Sequence, residues 1–135
     1  MKYVLDTQAW LWSVLDHPRL SRRARAALAT VAGQERVGIA AISLKEAAWH
    51  LAHGRVAVDE AFGPWQLWLR AAAASPQLDI LPLTVDVAIE SEHLGGSFPP
   101  DPADRLIVAT ARVHDLTLIT SDRPIRKSGA VRTLW

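Results

Sequence analysis

Asp101-Pro102-Ala103-Asp104-Arg105-Leu106-Ile107-Val108-Ala109-Thr110-Ala111, followed closely by Leu116-Thr117-Leu118-Ile119-Thr120-Ser121-Asp122, is the stretch that decides the fold. Asp before Pro opens a helix, because the carboxylate accepts from the first free N–H groups and proline at the first helical position forfeits no hydrogen bond. The segment 106–111 is apolar nearly all round, as in a helix packed deep between a sheet and its neighbours. The run 116–120 then has the length and composition of a buried strand, and Ser121-Asp122-Arg123-Pro124 reads as a turn.

Outward from this unit the same alternation recurs. Residues 2–5 form a short strand ending at Asp6, and from Thr7 the spacing of Trp10, Leu11, Val14 and Leu15 is helical until His17-Pro18 stops it. Ser21 caps a helix running to about Val31 that Gly33 ends, and 36–40 is a second strand. Ser43 caps the next helix, which Gly54 terminates. Gly63-Pro64 begins another helix with proline in its first position, carrying Trp65, Trp68 and the alanines 71–74. A third strand over 78–83, a helix over 84–94, a loop over 95–100 and a fifth strand within 130–134 complete the series. Strands alternating with helices define an α/β fold with a mostly parallel sheet of four to five strands covered on both faces.

One hundred and thirty-five residues without a repeat, linker or composition break read as a single domain over 1–135. Half the residues are apolar and 21% charged, which excludes disorder. No cysteine is present, so disulfide frameworks, thiolate metal sites and cysteine nucleophiles are excluded. The opening residues lack a signal-peptide run and no 18-residue apolar stretch occurs, so the expectation is a cytoplasmic protein without a membrane partner. Fifteen Lys and Arg against 14 Asp and Glu give a net charge of +1, so only local charge can speak about nucleic acid.

The acids are unevenly placed. Asp6 follows strand one and Asp122 follows strand four, while Asp101 and Asp104 open the helix before strand four, and Glu46 sits in the first turn after strand two. In an open parallel sheet all of these reach the carboxyl edge, where such sheets bind ligands. Each has a structural reading of its own: Asp6 and Asp101 as caps, Asp122 as a turn residue, Asp104 as a partner of the helix dipole, Glu46 as a solvated helix residue. Those readings do not explain why so many acids end at one edge. Clustered carboxylates repel and raise one another's pKa, and a divalent cation removes the penalty. All-oxygen donors favour Mg²⁺ or Mn²⁺, whose natural chemistry with phosphate is phosphodiester hydrolysis by activated water. Glu46, His50 and His53 share a helix face, yet the HExxH spacing of a zinc site is absent, as are a Gly-rich phosphate loop and a nucleophile elbow.

Val4-Leu5-Asp6-Thr7, Ile42-Ser43-Leu44-Lys45-Glu46, the DPADRLIVATA segment 101–111 and Leu118-Ile119-Thr120-Ser121-Asp122 together resemble the PIN-domain family, and within it the VapC-type toxin ribonucleases of bacterial type II toxin–antitoxin systems. The resemblance runs over almost the whole chain in the right order. It implies a PIN-like three-layer α/β/α sandwich, Mg²⁺- or Mn²⁺-dependent endoribonuclease activity, an RNA substrate, a homodimer, and a cognate antitoxin whose tail occupies a groove by the active site. Carried over residue by residue, it makes Asp6, Glu46, Asp104 and Asp122 the catalytic and metal-binding acids, with Thr7, Ser43, Asp101 and Ser121 in support. This branch often has Lys four residues after the Glu, and here the position is His50, neutral for the most part at pH 7.

Arg105, Arg123, Arg126 and Lys127 flank the acids and are candidates for RNA phosphate contacts, and Arg19, Arg22, Arg23 and Arg25 form a second basic group. Most tryptophans belong in the core, but Trp65 and Trp68, three apart, suggest one stripe that a partner's amphipathic segment could cover. An Asp after strand one also serves phosphoaspartate-type phosphatases. These carry a second carboxylate two residues on, where this chain has Gln8. A non-catalytic RNA- or partner-binding module is the other alternative, and it gives no reason to keep all four acids.

Overall fold

Alternation along the strands builds the layers. Leu5, Ile39 and Ile119 join one buried cluster, whereas Val4, Ala40 and Leu118 join another, as a two-residue period requires. The computed structural model describes residues 1–135. Its strands are β1 (Tyr3–Leu5), β2 (Val37–Ala40), β3 (Leu78–Leu81), β4 (Thr117–Ile119) and β5 (Thr133–Leu134), in the order β3-β2-β1-β4-β5. Every neighbouring pair is parallel, with Val4 opposite both Gly38 and Leu118. The first cluster is closed by α1 (Thr7–Val14), α2 (Arg22–Val31), α3 (Ile42–Ala52) and α4 (Trp65–Ala73). On the opposite face α6 (Pro102–Val113) and α7 (Arg123–Ser128) cover the second, while α5 (Val85–Glu90) packs against α6. The result is the expected three-layer α/β/α arrangement.

From β1 the chain steps outward to β2 and β3, then returns to the other side of β1 as β4. The connections therefore diverge between β1 and β4, and a crevice opens outside their carboxyl ends. That crevice organises the rest of the molecule's chemistry.

Several boundaries differ from the sequence reading, each for a physical reason. β3 stops at Leu81 because Pro82 has no N–H for a ladder. The segment 121–124 is not a simple turn: Asp122 caps α7, with proline in the first helical turn. Helix α3 starts at Ile42 with no side-chain cap, so Ser43 is not its cap but a fully buried residue whose hydroxyl faces Thr7. Proline 64 occupies the cap of α4 rather than its first turn, and a short 3₁₀ turn, Glu60–Phe62, precedes it. Helix α5 ends at Glu90, four residues early. The tryptophan stripe also fails, since Trp68 is buried in the core with Trp65 packed on the same cluster. No helix is long and apolar enough to cross a membrane.

Candidate active site

Asp6 is delivered by the end of β1. Its backbone N–H donates to the Ile119 carbonyl at 3.1 Å, tying it to the end of β4, and its Oδ1 accepts from the Ala9 N–H at 2.7 Å to cap α1. Asp122 repeats the device across the crevice: its Oδ1 accepts from the Ile125 N–H at 3.0 Å and caps α7. Between them stands Thr120, fully buried, which accepts from the Asp122 N–H at 3.1 Å and hydrogen-bonds the Asp6 side chain. One hydroxyl thus accepts on one side and donates on the other. Its signal in the sequence was only a threonine at the end of an apolar strand, and its role went unread.

Glu46 enters from α3, one turn later than the sequence suggested. Thr7 Oγ1 lies 2.6 Å from Glu46 Oε1, to which it donates, and 2.9 Å from Ser43 Oγ. A carboxylate aimed by a hydroxyl that is itself held by a buried hydroxyl has little rotational freedom. Asp104 comes from the first turn of α6, where Asp101, not Asp104, is the cap: Asp101 Oδ1 accepts from the N–H groups of Ala103 at 2.9 Å and Asp104 at 3.2 Å.

These four acids, from segments far apart in the chain, line one cleft of about 220 Å³ with Thr7, Gln8, His50, Ile107 and Ser121. Asp101 is exposed outside it. Burial, with lesser repulsion from Asp122 and Glu46, pushes the Asp6 carboxyl up to about 6, despite the hydrogen bonds from Thr120 and Ala9. Burial first and then repulsion from Asp101, Asp122, Glu46 and Asp6 push Asp104 up to about 7. No three of the acidic or histidine groups close into a ready-made metal cage. The donor chemistry still suits a hard cation: anionic oxygens, no sulfur, and an open cleft with room for water.

The basic candidates divide. The Arg105 guanidinium donates to the carbonyls of Pro99, Ser91 and Phe98 at 3.0–3.2 Å and lies over the Phe98 ring, so it anchors the loop before α6. Arg123, Arg126 and Lys127 are exposed, have no carboxylate partner, and with Thr133 edge a separate shallow hollow of about 450 Å³. In the second basic group, Arg25 is paired with Asp16. Away from the acids, Leu5, Trp10, Val14, Leu28, Val31 and Ala72 are among the residues lining an apolar hollow of about 260 Å³ that Glu35 borders.

Acids held after parallel strands one and four, on this sheet order, are features of the PIN domain, and the chain belongs to that family: its model matches residues 3–130. Over 134 residues the sequence is 34% identical to ribonuclease VapC22 of Mycobacterium tuberculosis, covering 98% of this chain and 97% of that protein. Among solved structures, the VapBC2 complex of Rickettsia felis bound to a promoter DNA fragment superposes with a TM-score of 0.73 at 16% identity, covering 99% of this chain and 98% of that one. The FitAcB structure from Neisseria gonorrhoeae gives 0.64 at 23%, with 98% and 96% covered. These structural likenesses speak for the fold.

Proposed function

We propose that this chain is a divalent-metal-dependent endoribonuclease acting as the toxin of a toxin–antitoxin pair. The observation that carries the reading is the convergence of Asp6, Glu46, Asp104 and Asp122 on one cleft at the β1/β4 divergence. The relationship to a protein named as a ribonuclease supports it. Bound Mg²⁺ or Mn²⁺ would supply Lewis acidity toward a phosphoryl oxygen and toward water. Asp6, Asp104 and Asp122, with Glu46, would hold the ion, and their number leaves positions for substrate and solvent. Thr7 and Thr120 orient Glu46 and Asp6 before any ligand arrives, which removes reorganisation from the reaction step. Arg123, Arg126 and Lys127 would neutralise phosphates outside the cleft, fixing the strand's register without reading its sequence.

Two protein partners belong to the same reading. An antitoxin tail would place a basic side chain among the acids, and the apolar hollow beside Trp10 replaces the tryptophan stripe as a seat for its apolar residues. A homodimer would cover Leu83, Val85 and Ile89, each more than half exposed. The decisive test incubates the purified, antitoxin-free protein with cellular RNAs, with and without Mg²⁺ or Mn²⁺, and maps the new ends. Cleavage that appears only with metal is expected. Undiminished cleavage in excess EDTA would overturn the metal site, and intact RNA under every condition would overturn the nuclease.

A further inference from the structure

The face of α3 that delivers Glu46 to the cleft continues past it. Residues three, four and seven further on, Trp49, His50 and His53, share that face by helical spacing. His50 forms part of the cleft wall, and its ring meets the Trp49 indole edge-on at 5.3 Å. His53 stacks on the same indole at 4.5 Å and 24°, its Nδ1 2.8 Å from the Trp49 carbonyl. The Arg55 guanidinium lies 5.2 Å from the indole centre. This cluster does not serve the core: the indole is 39% exposed, His53 and Arg55 are exposed, and Arg55 has no carboxylate partner. The contrast is with Trp10 and Trp68, which are buried against aliphatic side chains.

We propose that Trp49, with His53 and Arg55, is a docking platform for one unpaired nucleobase of the RNA whose scissile phosphate lies in the adjacent acidic cleft. This rests on the nuclease reading above and adds a subsite to it. Three residues of helix span about 4.5 Å, so the platform stands about one nucleotide from Glu46. Exposed aromatic rings beside arginine are the usual means of holding single-stranded nucleic acid, since every base offers a stackable face. The charge is of the right sign: Arg55, which no carboxylate neutralises, rests on the Trp49 indole one helical turn from a cleft whose acids repel phosphate. Arg55 can leave the indole for the phosphate as a base takes its place. The platform favours unpaired over duplex RNA, because a paired base has no free face to give.

The test uses short single-stranded RNAs containing one mapped cut site, and the variants Trp49→Ala and Trp49→Tyr. Trp49→Ala is expected to raise KM about tenfold with kcat nearly unchanged, and Trp49→Tyr to restore most of the loss. Replacing the stacked base by an abasic site should impair the wild type similarly and add nothing in Trp49→Ala. Binding of a fluorescent RNA, read by anisotropy in wild type and Trp49→Ala, gives a readout that does not need cleavage. Equal RNA affinity of the two proteins overturns the platform, and so does an unchanged KM with an unchanged abasic profile. Conversion of a dimer to a monomer by Trp49→Ala in sedimentation also overturns it and assigns the face to a second copy of the chain. RNA that wild type binds more tightly than Trp49→Ala but never cuts supports the platform while sinking the nuclease reading.

Discussion

The β1/β4 edge and the first turn of α6 use the same residue type in opposite ways. At the strand ends one carboxylate does two jobs: Oδ1 of Asp6 and of Asp122 caps a helix, while the same side chains line the cleft. At α6 the jobs are split between neighbours, with Asp101 capping from outside the cleft and Asp104 lining it without capping. A carboxylate has two oxygens and several lone pairs, so a cap need not exclude a ligand. Asking whether such an acid is structural or functional is therefore the wrong question at a strand end, and the right one two residues into a helix.

Substitutions separate the two arrangements. The largest expected effect is on Asp104→Asn, which removes a cleft charge at constant volume. RNA cleavage should fall at least about a hundredfold, with metal-free stability unchanged or higher. A kinetic assay beside a thermal melt in EDTA checks both, and an active but destabilised variant would show that Asp104 is the structural acid.

The pH dependence comes next. Asp6 and Asp104 titrate at about 6 and about 7 in the folded chain against 3.8 as the ordinary value. The folded state therefore binds more protons than the unfolded state between about pH 4 and 7, and metal-free stability must fall as pH rises through that window. For Asp6 the upward displacement corresponds to about 3 kcal/mol as an upper bound. Melting in EDTA should rise from pH 8 to pH 5, and Asp104→Asn should flatten the slope. A melting temperature that rises with pH across this window contradicts the clustering of charge.

Asp122 offers a finer cut, because asparagine caps as well as aspartate and alanine does not. Asp122→Asn should lose cleavage and keep stability, whereas Asp122→Ala should lose cleavage and about 1 kcal/mol of stability. Equal stability of the two would deny the cap. The smallest effect is expected at Asp101→Ala: about 1 kcal/mol of stability, with cleavage largely kept. It should also ease Asp104 toward ionisation, since Asp101 exerts the strongest of the charge repulsions on it. A stable but inactive Asp101→Ala would exchange the two roles.

Much was legible beforehand because it is local. Caps followed by proline, glycines after helices and period-two apolar runs report on bonds within a few residues, and they yielded the α/β alternation and the acids at one edge. The remaining features depend on partners distant in the chain. Ser43 reads as a cap until Thr7, 36 residues away, is seen to take its hydroxyl. Nothing in the local spacing of Arg105 announces the three loop carbonyls gathered around its guanidinium. Thr120 gains its meaning only from bridging Asp6 and Asp122, and Trp65 and Trp68 turn inward because the hydrophobic cluster under α4 takes them. A sequence declares the valence of each side chain, but which distant group fills it is settled by the packing that brings the two together.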